Sequence, residues 1–125
     1  MASRARAGTT AVLGLRIAYG VTLMISPERL AERWLGPESS RAPTQVPLRG
    51  LGAREIVLHA GGVIAAVRDR PLRPWLAGSI AGDCVDIAAT LIGRAELPDG
   101  APLATAVVAG ASALISAALF SALGD

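Results

Sequence analysis

Residues 101–124, APLATAVVAGASALISAALFSALG, are 24 consecutive positions without a charge. No other feature limits the fold as strongly. At about 1.5 Å of rise per residue, a helix of this length crosses the roughly 30 Å hydrocarbon core of a bilayer. Three more apolar runs precede it, at 9–25, 48–67 and 74–93. The expectation is an all-α integral membrane four-helix bundle built as a single domain from these four spans.

Composition agrees. Hydrophobic residues make up 52% of the 125 residues, charged residues 18% and aromatics 3%. A soluble domain carries about a quarter charged residues. There is no Lys, and all twelve basic residues are Arg. The net charge of +2 does not point to nucleic acid. The arginines are spread along the chain, mostly where apolar runs begin or end, and no basic stripe alternates with stacking aromatics. The expected partner is the lipid bilayer, with no nucleic acid. The single cysteine, Cys84, lies in an apolar run and reads as a small buried hydrophobe.

The first run contains one charge, Arg16, which interrupts what would be the apolar part of a signal peptide, and no small-residue cleavage site follows promptly. It reads as a retained helix. Ser26 and Pro27 suit a cap and first turn, so residues 27–35 form a short amphipathic helix, with Leu30, Trp34 and Leu35 opposite Glu28, Arg29, Glu32 and Arg33. Too short to span, it suits the membrane interface. Residues 36–47 read as a loop holding Pro37, Pro43 and Pro47. Pro74 starts the third span and Trp75 anchors it at an interface.

Four spans place both termini on one side. That side carries Arg4, Arg6, Arg68, Arg70 and Arg73, the other Arg29, Arg33, Arg41 and Arg94. The first group is compact and adjacent to spans, so the expectation is a bacterial inner-membrane protein with both termini cytoplasmic. Helices in lipid associate through close packing and polar contacts. Gly78 and Gly82, Gly61 and Gly62, and the stripe Ala109, Ala113 and Ala117 offer points of close approach. Ser112 and Ser116 read as bonding back to the preceding helical turn.

The sharpest signal is charge at membrane depth. Arg16, Arg54, Glu55, His59, Asp83 and Asp86 all lie inside spans, with Arg49 at an edge. A charge at the bilayer centre costs several kcal/mol, so such groups need partners. Counting Arg49, three arginines balance three carboxylates. Counted along the helices, Arg54 lies about 8 Å and Asp86 about 9 Å from one membrane edge, and Arg16 about 10 Å and Asp83 about 14 Å from the other. Arg54–Asp86 and Arg16–Asp83 are therefore the expected inter-helix pairs. Glu55 and His59, four apart, share a face, as do Asp83 and Asp86, three apart. Tyr19 lies near Arg16 and can join this network through its hydroxyl. These residue types could ligate a metal, but there is one His and the arginines compete for the carboxylates, so no metal and no cofactor is expected.

The motifs Arg16-x-x-Tyr19-Gly20, Arg49-Gly50-x-Gly52-x-Arg54-Glu55 and Gly82-Asp83-x-x-Asp86 resemble those of small four-helix membrane proteins common in actinobacteria, which are distantly similar in layout to the DoxX-like proteins. The resemblance covers the chain from about residue 13 to residue 93. It implies a membrane location and a four-helix bundle with the Arg-Glu and Asp-x-x-Asp motifs as its signature, and it implies no activity.

No phosphate-binding loop, cysteine pair or serine nucleophile elbow is present, so the chain does not read as an enzyme. The expected function is a structural or accessory membrane protein, as a homo-oligomer or with a membrane protein partner. The alternative is a small transporter or proton-linked carrier that uses the same intramembrane charges.

Overall fold

The structure, a computed structural model, describes residues 2–124. Among them are five α-helices and no strand: α1 (Ala2–Ile25), α2 (Pro27–Leu35), α3 (Ala42–Val67), α4 (Arg73–Ile92) and α5 (Ala101–Ala122). Four of these, all but α2, are long and apolar enough to cross a membrane. The all-α bundle follows from the four uncharged or sparsely charged runs. Its outer surface is apolar: Leu15, Val57, Ile92, Leu103 and Leu114 are each 70% exposed or more, an arrangement suited to lipid contact and not to water.

Two helices begin earlier than their apolar runs. α1 starts at Ala2 because the Ala- and Arg-rich lead is itself good helix former. α3 starts at Ala42, six residues before the run, so part of the expected loop is helical. Pro43 sits in its first turn, where the missing N–H has no intrahelical partner to lose. Pro47 lies inside the helix and removes one bond, outside the apolar stretch. The expected short helix α2 has the expected bounds, and a 3-10 turn at Gly36–Ser40 follows it.

α1 lies mainly against α3 and α4 mainly against α5. The backbones of α1 and α3 meet at Gly20 and Gly52. A Cβ built on Gly20 would sit 2.7 Å from the Gly52 carbonyl oxygen, and one on Gly52 would sit 2.6 Å from that of Gly20. Only glycine fits both positions. The Gly78/Gly82 pair does a different job from the one its spacing suggests. It faces side chains, Leu58 at 3.2 Å and the Arg54 guanidinium at 3.5 Å, and no facing backbone. Gly61 and Gly62 are a point of close approach, accepting the ring of Trp75 and the side chain of Leu13. Trp75 is thus held in a helix-helix seam.

The ends are tied by polar contacts. Arg6 reaches the Ala66 carbonyl at 3.1 Å and Asp69 at 3.4 Å, fixing the start of α1 to the turn after α3. The Trp34 indole N–H donates to Thr90 Oγ1 at 2.9 Å, fixing α2 over the end of α4. The Arg73 guanidinium lies 4.2 Å from the centre of the Phe120 ring, a cation–π contact between the start of α4 and the end of α5. Cys84 is exposed on the outer face of α4 and not in the core, because the inward face at this level is taken by Asp83.

Candidate functional site

Arg16 is the centre of the buried polar cluster. It projects from the middle of α1, and Gly20 one turn later lets α3 approach closely enough for Glu55 to reach it. Its Nε–H donates to Glu55 Oε2 at 2.9 Å. Its Nη1 donates to both oxygens of Asp83, at 2.8 and 2.9 Å, and to Ser112 Oγ on α5. One guanidinium therefore bonds to α3, α4 and α5 from α1. The planar fork of donors makes this division geometrically natural. Glu55 and Asp83 side chains are 2% and 3% exposed, so each is a desolvated carboxylate stabilised by a charge-assisted bond.

The expected Arg16–Asp83 pair is present at 2.8 Å. The expected Arg54–Asp86 pair is looser, at 3.8 Å, with the Arg54 side chain 45% exposed. Arg54 also approaches Glu55 Oε1 at 3.5 Å. Glu55 thus lies between two arginines, a role that depth along the helix axis did not reveal. Arg49 does not belong to the cluster. Its Nη1 donates to the Met24 carbonyl at the end of α1, which satisfies a helix-terminal acceptor. The expected balance of three arginines and three carboxylates therefore fails. Arg16 and Arg54 face Glu55, Asp83 and Asp86, leaving one carboxylate more than there are guanidiniums.

His59 is fully buried one turn along α3 from Glu55. Its Nδ1 lies 2.6 Å from the Glu55 carbonyl oxygen and its Nε2 lies 2.7 Å from Ser79 Oγ. With Nδ1 donating to that carbonyl, Nε2 accepts the one Ser79 hydroxyl proton, for which the Trp75 carbonyl at 3.1 Å competes. Both ring nitrogens are occupied within the protein, so His59 is a tie between α3 and α4 and presents no nitrogen to a metal. Among the described residues no group of three or more His, Cys, Asp or Glu side chains is placed to share a metal ion.

Two hydroxyls depart from their expected back-bonding. Ser112 accepts from Arg16, and Ser116 Oγ is buried without a hydrogen-bond partner among the described residues. Ser79, Ser112 and Thr90 were not legible as partners, since a hydroxyl in an apolar helix carries no charge signal. Ser79 lies four residues before Asp83 on the same face of α4, and that spacing is the signal that could have found it.

Two adjoining cavities open beside the cluster, between α1 and α5. The outer, about 330 Å3, lies under α2 and is lined by Leu30, Trp34, Leu51 and Val107. The inner, about 220 Å3, reaches Arg16, Glu55 and Asp83 past Val12 and Leu15. Tyr19, Asp86, Val108 and Ala109 line both and form the waist between them. Tyr19 is thus a wall of this crevice.

The fold and this cluster define a multi-pass helical membrane protein with an intramembrane ion-pair network and a side crevice. Comparison with known protein families, with characterised proteins and with solved structures finds no match.

Proposed function

We propose that this is a non-enzymatic accessory protein of the bacterial inner membrane, with both termini in the cytoplasm, whose polar cluster holds four spanning helices in one arrangement. The observation that carries this reading is the bonding of Arg16 to Glu55, Asp83 and Ser112 on three different helices. In lipid there is little hydrophobic drive between helices, so such a junction decides which faces meet. A relationship to the small DoxX-like proteins is part of the same proposal and rests on the Arg49–Glu55 and Gly82–Asp86 motifs.

The test is modification by dicyclohexylcarbodiimide in native membranes, located by mass spectrometry. A packing junction leaves Glu55 and Asp83 unmodified across pH, because a guanidinium covers each. Modification of Asp83 that changes with pH would refute the packing role. It would favour the second reading, a small proton-linked carrier, which the crevice leading to these carboxylates supports.

A further inference from the structure

The waist of the crevice brings together three features that the packing role leaves unused. Asp86 is the one carboxylate shared by both cavities. Its side chain is 27% exposed and its nearest cation, Arg54, is 3.8 Å away and is also shared with Glu55. Two aromatic side chains line the crevice with it: Tyr19, which borders both cavities, and Trp34 in the outer one, held in place by its bond to Thr90. The remaining walls are mainly aliphatic, from Leu30, Leu51, Val107 and Val108.

The charge count adds a direction. With Arg49 turned away to Met24, the cluster carries two guanidiniums against three carboxylates. An excess carboxylate in an apolar setting is neutralised by a proton or by a cation beside it. Arg16 closes over Glu55 and Asp83, so Asp86 is where that cation can be reached. Aromatic rings beside a carboxylate are a recognition set for ammonium groups, and the aliphatic walls select an organic body over a hydrated metal ion. Arg33 lines the outer cavity and not the inner one, so it disfavours a cation at that end and leaves Asp86 as the inner station. About 330 Å3 falls at the small end of ligand-pocket sizes.

We propose that the crevice binds a compact amphiphilic organic cation, a substituted or quaternary ammonium carrying a short apolar chain, with its head at Asp86 between Tyr19 and Trp34 and its chain in the outer cavity. This rests on the second reading only in treating the crevice as a site; it requires no transport, so it can hold or fail while the packing role stands.

The experiment is a fluorescence titration of the whole protein in neutral maltoside micelles with hexyltrimethylammonium, with hexyl sulfate as the anionic counterpart. A Trp75→Phe background leaves Trp34 as the reporter. The expected result is saturable binding of the cation, weaker or absent binding of the anion, and a loss of about tenfold or more in affinity in Asp86→Asn, with Asp86→Glu retaining binding. A second variant, Val108→Phe, narrows the waist without adding a second Trp and should weaken binding about tenfold or more in a protein that unfolds like its parent. No saturable binding, a preference for hexyl sulfate, or unchanged affinity in folded Asp86→Asn or Val108→Phe would each overturn the assignment.

Discussion

Replacing Arg16 by Met keeps an unbranched stem of similar girth and removes the guanidinium. The two carboxylates it serves are almost fully buried, Glu55 at 2% and Asp83 at 3% side-chain exposure. Glu55 retains Arg54 at 3.5 Å, so Asp83 is the group left most exposed to the loss. Removing one partner of a buried ion pair costs about 3–5 kcal/mol. We expect about 4 kcal/mol for Arg16→Met, on the order of a thousandfold in the folded-to-unfolded ratio. Against a typical stability of about 5–15 kcal/mol this takes much of the margin. The assay is equilibrium unfolding from maltoside micelles with added dodecyl sulfate, followed by far-ultraviolet circular dichroism. Adding Asp83→Asn to Arg16→Met should return about half the loss, because it removes the orphaned charge. Arg16→Lys should recover little, since a single ammonium cannot divide its donors among Glu55, Asp83 and Ser112 as the fork does. If Arg16→Met unfolds within about 1 kcal/mol of the parent, the junction does not hold the bundle and the reasoning from burial fails.

Gly52→Ala places a methyl 2.6 Å from the Gly20 carbonyl oxygen and should cost about 2–3 kcal/mol in the same assay, an overpacking cost against backbone that cannot turn aside. Gly110→Ala, with nothing within 4 Å, should be neutral or stabilise by up to about 1 kcal/mol, and equal effects at the two positions would contradict the close-approach reading. Ser79→Ala removes the partner of His59 Nε2 at 2.7 Å and should destabilise by about 1–3 kcal/mol; no measurable change would mean that His59 is satisfied without it.

The spans were legible because charge-free length has few other interpretations. The two run-in segments were not, since Ala-, Arg- and Pro-containing stretches fit either a loop or a helix until neighbouring helices choose. Depth counting found the levels of Arg16 and Asp83 correctly. Depth does not fix the angle around each helix, and that angle brings Glu55 to Arg16 and turns Arg49 away to Met24. Arg49 has a second way of satisfying its guanidinium, the carbonyl of Met24, and a charge count cannot distinguish carbonyl from carboxylate partners. The Gly20–Gly52 contact was hidden for a related reason: the glycines of a close approach lie on two helices, and a search for spaced glycines on one helix finds only Gly78 and Gly82. Cys84 shows the same limit in reverse, since an apolar residue in a lipid-facing helix gains nothing from turning inward.

The pairing of α1 with α3 and of α4 with α5 has a chronological side. A ribosome delivers Arg16 to the membrane long before Asp83. Glu55 arrives in between, on the helix that closes against α1 at Gly20 and Gly52. The amino-terminal half therefore carries its own counter-ion for Arg16 while the rest is still being made, and the remaining donors of that guanidinium are the ones that meet Asp83 on α4 and Ser112 on α5. Asp83 completes a junction that Glu55 begins, so the order of the helices along the chain is also an order in which their charges can be neutralised.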